Sequence, residues 1–250
     1  MMLALLALTG CAHMDSPGEV TYSLDAKENY DLGQEALKSG RHLEAIKYFE
    51  HVRFKFPYSA QAALADLGIA DTNFDREKYV EAIEGYRTFL KMHPSHGQAD
   101  YAAFRIALAH YKDIPSDFIL FPPSTQKDQS AVREARISMD DFIRQYPGSS
   151  YAAEAKGLAA DIRRRLAAHV LYVADFYLHR KRWQAAAGRL NKLLNDFPGS
   201  GFDGEALLKL ARSYLALDQK DQARSALQRL ITEFPQDPAR GEAERLLSGT

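Results

Sequence analysis

An aromatic residue or histidine followed by proline occurs at Phe56-Pro57, His93-Pro94, Tyr146-Pro147, Phe197-Pro198 and Phe234-Pro235. Successive prolines stand 37, 53, 51 and 37 residues apart. A recurring interval of this length marks a chain built from stacked supersecondary units, each burying its apolar face against the next. Proline has no amide hydrogen, and its ring pushes the preceding residue out of helical geometry, so each of these sites ends a helix.

The residues upstream of each proline say what the units are. Ala45, Ala82, Ala135, Ala186 and Ala223 occupy one equivalent slot, and Phe49, Tyr86, Met139, Leu190 and Leu227 another. Gly33, Ala70, Ala107 and Ala211 fill a third, earlier slot. Small side chains let two helices approach closely, and the larger ones fill the space between neighbouring units. Within 41–56 the apolar residues Leu43, Ile46, Phe49, Val52 and Phe56 recur at helical steps, as do Ala206, Leu210, Ser213 and Leu217. No stretch alternates over strand length, so a sheet is not expected. The pattern resembles the tetratricopeptide repeat, and the expected fold is all-α, a right-handed α-solenoid of five helix-turn-helix repeats. Pro57-Tyr58-Ser59, Pro94-Ser95-His96, Pro147-Gly148-Ser149 and Pro198-Gly199-Ser200 are predicted to turn the chain and cap the next helix.

The two long intervals exceed 37 by 16 and 14 residues. In the first, Ile114-Pro115 through Pro122-Pro123-Ser124-Thr125 carries three prolines, so a loop insertion at about 113–128 splits the third repeat. Its run Phe118-Ile119-Leu120-Phe121 needs cover, from the solenoid or from a partner. In the second, 150–179 holds no proline and reads as one helix of about 45 Å, coupling an N-terminal half to a C-terminal half.

The chain opens on a short apolar stretch ending in Leu8-Thr9-Gly10-Cys11, far short of the roughly 20 residues that span a bilayer. It resembles the lipobox of bacterial lipoproteins. That resemblance implies cleavage before Cys11 and a lipid on its thiol. No charge precedes Cys11, which predicts a start upstream of Met1. Ala12 at the next position implies, by likeness to enterobacterial sorting, the outer membrane. The organisation then reads as signal peptide 1–10, lipidated flexible tether 11–24, N-terminal repeats 25–149, and long helix with C-terminal repeats 150–250.

Catalytic chemistry is not expected. Lys and Arg number 32 against 33 Asp and Glu, so nothing in the balance attracts nucleic acid. The His93/His96 pair lacks converging ligands for a metal, and Pro198-Gly199-Ser200-Gly201 lacks the Lys-Ser/Thr sequel of a phosphate loop. Arg163-Arg164-Arg165 and Arg180-Lys181-Arg182 read as solvated helix faces or as a protein-binding patch. No cofactor is expected apart from the covalent lipid on Cys11.

Function in a solenoid lives on the face lined by the first helix of each repeat. Helical phase places Tyr30, Asp31, Gln34 and Lys38 there, then Leu64, Leu67, Asp71 and Phe74, then Tyr101, Phe104, Arg105 and Leu108. Aromatic groups with isolated charges suit an extended or aromatic-ended peptide, and the same positions serve equally as inter-repeat core.

The lipobox, five repeats, the insertion and the long helix, with Pro94-Ser95-His96, Asp100-Tyr101 and Arg144 to Tyr151, resemble the BamD family of outer-membrane β-barrel assembly lipoproteins. The resemblance implies a scaffold on the periplasmic face of the outer membrane. Its N-terminal repeats would receive the aromatic-ended targeting strand of unfolded outer-membrane proteins. Its C-terminal repeats would dock the barrel-forming partner BamA beside other assembly lipoproteins. Arg189 matches a family arginine linked to that coupling, with Arg180, Arg182 and Trp183 on the turn before it and Tyr214 in the next repeat. Tol-Pal coordinators, which share the 37-residue spacing, and pilus-secretin lipoproteins, which share the lipobox, are the competing readings.

Overall fold

The computed structural model describes residues 20–115 and 123–249. Among them every regular element is helical, and they form two compact units that part within one helix, between Ala102 and Ala103. The division expected from sequence was drawn at 149/150.

The first unit holds α1 (Ala26–Lys38), α2 (His42–Lys55), α3 (Ala60–Asp75), α4 (Tyr79–Met92) and the opening of α5 (Ala99–Lys112). The second holds the rest of α5, a 3₁₀ turn at Ser124–Gln126, α6 (Ser130–Gln145), α7 (Ala152–His179), α8 (Trp183–Asp196), α9 (Asp203–Ala216), α10 (Lys220–Glu233) and α11 (Arg240–Ser248). Within the first unit α1 to α4, and within the second α6 to α11, consecutive helices pack as hairpins in the manner of tetratricopeptide repeats, and α7 runs 28 residues.

Two kinds of turn alternate. Each second helix ends on the residue before proline: Phe56, His93, Tyr146, Phe197 and Phe234 all sit at φ −126 to −134° and ψ 48 to 58°. This is the displacement from helical geometry that the following ring enforces. First helices end instead on a left-handed residue, at Gly40, Glu77, Lys181 and Asp218. There the next amide reaches back five residues, as from Arg41 to the Ala36 carbonyl and from Lys78 to that of Asn73. Gly40 adopts this conformation freely, and the other three hold it against a Cβ penalty.

The predicted turns form after the prolines, and their serines act differently: Ser149 Oγ accepts from the Tyr151 amide at 3.2 Å where α7 begins. Ser59 is the N-cap residue of α3 without a side-chain cap bond, and its Oγ is buried without a partner. Asp25 does cap, accepting from the Glu28 amide at 2.8 Å.

Packing follows the repeat slots. Ala45, Ala82, Ala135, Ala186 and Ala223 are fully buried, as are Phe49, Tyr86, Met139, Leu190 and Leu227. In the first unit the Phe49 ring is wedged between Gly33 and Gly68, where an added Cβ would come within 2.7 Å of it from either side. In the second unit Phe104 stacks on Tyr151 at 4.9 Å between ring centroids and tilts against Phe142. The terminal α11 has no counterpart in the five-repeat scheme. It buries Ala243 against the last repeat and ties Glu242 to Arg212.

Residues 20–24 lie within the stretch expected to be tether, and part of it is fixed to the first hairpin. The fully buried Asn29 side chain accepts from the Ser23 amide and donates to the Ser23 and Asp25 carbonyls. Tyr22 stacks flat on His51 with 4.1 Å between centroids. Cys11 and the run Phe118–Phe121 lie outside the described residues.

Candidate functional site

First helices carry the candidate binding surface. In the first unit its centre is Asp71 on α3, whose Oδ1 accepts from the Tyr86 hydroxyl at 2.5 Å and the Tyr101 hydroxyl at 2.6 Å. The two rings meet edge to face. Tyr30 leans on Phe49, and its hydroxyl accepts from Gln34 Nε2 at 3.0 Å. Burial raises the Tyr30 pKa, Gln34 opposes the rise, and the charge of Asp71 adds to it. Phase and packing thus gather two tyrosine hydroxyls on one carboxylate, whose charge is also felt by Tyr30. Such a surface offers flat amphipathic rings and a fixed hydrogen-bond acceptor.

The other predicted groove residues divide. Lys38 is exposed at the end of α1, and Phe74 is half-buried against Tyr79. Leu67 and Phe104 are only 4% and 3% exposed and serve the core. Arg105, in the second unit, is half-buried.

In the second unit, polar bonds link neighbouring first helices. Tyr111 of α5 donates to Asp161 of α7 at 2.9 Å, and Arg165 donates to the same carboxylate at 2.6 Å. Lys209 of α9 reaches Asp175 of α7 and Glu205, each at 2.6 Å. Burial works against the Lys209 charge, yet the two carboxylates carry its pKa above the usual lysine value. The Tyr111–Asp161 and Lys209–Asp175 bonds are not visible in sequence, because each joins residues from different helices, whereas Arg165–Asp161 and Lys209–Glu205 are pairs four residues apart within one helix. The insertion meets α7 where His169 Nδ1 lies 2.6 Å from the Thr125 carbonyl oxygen.

The predicted docking residues cluster only in part. Arg180 lies over the Phe176 ring, 3.7 Å from its centroid, and Arg182 is the exposed residue before α8. Trp183 is half-buried and lines a depression of about 430 Å³ with Leu178, His179 and Arg212. Tyr214 accepts from Asn191 Nδ2 at 2.9 Å. Arg189 is exposed and stands about 120° around α8 from Trp183, so the two face different directions.

The His93/His96 pair is used in packing: both rings rest on Phe89, and His96 Nδ1 accepts from the Gln98 amide. Among the described residues no group of three His, Cys, Asp or Glu could hold a metal, and no helix is long and apolar enough to cross a membrane.

Comparison with known proteins agrees with this architecture. The family model described as "YfiO: Outer membrane lipoprotein" matches residues 23–235. The outer membrane protein assembly factor BamD of Neisseria gonorrhoeae is 26% identical, with 93% of this chain and 89% of that protein covered. BamD of Xylella fastidiosa strain 9a5c is 28% identical, with 95% and 82% covered. Among solved structures, the TPR2AB domain of yeast Sti1 in complex with an HSP90 peptide superposes with a TM-score of 0.50 at 11% identity, covering 90% of this chain and 84% of that one, which supports the fold alone.

Proposed function

Because the chain belongs to the YfiO family of outer membrane lipoproteins, we propose that it is a lipid-anchored, non-enzymatic adaptor in the assembly of outer-membrane β-barrel proteins. The observation carrying this reading is the match across residues 23–235, together with relatives named as assembly factors over nearly their whole length. On this reading Cys11 carries the lipid on the periplasmic face of the outer membrane, and the rest of the chain works by binding alone.

Unfolded outer-membrane proteins are received on the first-helix face of the first unit around Tyr30, Gln34, Lys38, Asp71, Phe74 and Tyr101. Tyrosine rings bind apolar and aromatic side chains of an extended segment, and Asp71 supports an acceptor edge for its amide groups. Asp71 disfavours a terminal carboxylate at that spot, so the segment lies across the tyrosines with its end elsewhere. The barrel-forming partner BamA docks on the second unit, with the Trp183 depression taking an apolar side chain, Arg180 and Arg182 beside it fixing register, and Arg189 meeting the partner on another face of α8. Tyr214 braces the α8 side of that surface through Asn191.

Photocrosslinking tests the reading. A crosslinker placed at Tyr30 or Tyr101 should capture a peptide ending in an aromatic residue, and affinity purification from outer membranes should recover the barrel-forming partner. Crosslinks confined to 183–249, or recovery of Tol-Pal components without that partner, would contradict it.

A further inference from the structure

A cleft where the end of α8 meets α6 and α7 belongs to none of the surfaces above. It encloses about 320 Å³ and is lined by Arg136 and Asp140 from α6, Ala159 and Arg163 from α7, and Asp196 and Phe197 at the end of α8. Lys192 already pairs with Asp196. Arg136 and Arg163 are exposed and, among the described residues, neither has a hydrogen bond or ion pair, and the same holds for Asp140. The cleft thus presents two uncompensated guanidinium groups to one uncompensated carboxylate. Around it, residues 103–250 carry 22 Lys and Arg against 18 Asp and Glu, so the local excess sits in a basic background.

Two guanidinium groups lining one small cleft repel each other until an anion lies between them. Each offers a planar fork of donors that fits a carboxylate with two parallel hydrogen bonds. Ala159 and Phe197 supply apolar wall for the methylene stem of an acidic side chain. Asp140 decides between kinds of anion. Its charge repels a phosphate dianion about twice as strongly as a single carboxylate, and it can accept from the backbone amide of a peptide, which a phosphate or a lipid headgroup does not offer. We infer that this cleft is a docking site for an acidic segment of a partner polypeptide, its carboxylate held between Arg136 and Arg163 and a neighbouring amide donated to Asp140. The site stands apart from the residues assigned above and does not depend on which complex the adaptor serves.

Fluorescence anisotropy with a labelled peptide of six glutamates, titrated with the full chain, tests the inference. Arg136→Gln/Arg163→Gln should weaken binding by about tenfold or more, while Arg224→Gln, an exposed charge on α10, should leave it unchanged. Asp140→Asn, which keeps an acceptor oxygen and removes the charge, should strengthen inorganic phosphate by more than it strengthens the peptide. Circular dichroism of each variant establishes that the helices are intact. The inference is overturned if the double variant binds the peptide within twofold of the parent, or if Arg224→Gln weakens it as much. It is equally overturned if phosphate or phosphatidylglycerol vesicles bind as tightly as the peptide through the same two arginines.

Discussion

Replacing glycine by alanine inside a helix ordinarily stabilises it by about 0.8–1.0 kcal/mol, because alanine loses less backbone entropy on folding. At Gly157, on the exposed side of α7, nothing lies within 4 Å of the new Cβ, so Gly157→Ala should realise that gain. For a chain of this size the melting midpoint would rise by roughly 2–4 °C per kcal/mol. Gly68→Ala must run the other way. Its Cβ would lie 2.7 Å from two atoms of the Phe49 ring, where ordinary contact begins at 3.4 Å. The ring has little room to give, since an added Cβ at Gly33 would meet it equally closely and the side chain is fully buried. Overpacking of this kind costs about 1–3 kcal/mol, so after the helical gain the net loss is roughly 0–2 kcal/mol. Thermal unfolding of both variants, followed by circular dichroism at 222 nm, gives the comparison. If Gly68→Ala raises the midpoint as much as Gly157→Ala does, the Phe49 wedge is wrong.

Two further outcomes follow from the first unit. Burial raises the Asp66 carboxyl above its usual pKa, with Arg53 and His93 pulling it back down. A carboxyl whose folded pKa is raised contributes stability that is full below its unfolded value of about 3.9 and is lost as pH rises through the folded value. The stability of the parent relative to Asp66→Asn should therefore fall as pH climbs from 3 to 6, and a flat difference in midpoints would contradict the burial. Tyr86→Phe and Tyr101→Phe should each cost about 1.5–3 kcal/mol, the range for a hydrogen bond to a charged group. Because both hydroxyls share Asp71, the double variant should depart from additivity in urea unfolding, and strict additivity would refute the shared acceptor.

The repeat framework was legible because it repeats. Ala45 and Ala223 stand 178 residues apart in equivalent slots and are both completely buried. Pro57 and its counterparts marked helix ends because proline acts on its own neighbour, without tertiary help. Caps were less legible: Ser59 holds the predicted N-cap position, but its hydroxyl is turned into a buried space where it finds no partner. The binding face was legible only to the width of a helix stripe. Tyr101 and Phe104 are three residues apart on α5, yet one hydroxyl reaches Asp71 while the other ring stacks on Tyr151. Phase alone could not separate them, because one stripe serves both the exposed face and the packing between repeats. Asp161, Asp175 and the Arg136/Arg163 cleft gave no signal, since each gains meaning only when separate helices come together. The terminal α11 lies beyond the last proline and outside the periodic pattern.

The proposed role of this chain, promoting β-barrel assembly by binding, is tested most directly by the fraction of newly made outer-membrane β-barrel protein that becomes folded, read as heat-modifiable mobility, after depletion of the chain from its own bacterium. This fraction should fall, and unfolded precursor should accumulate in the periplasm. An unchanged folded fraction, with the chain gone, would contradict that role.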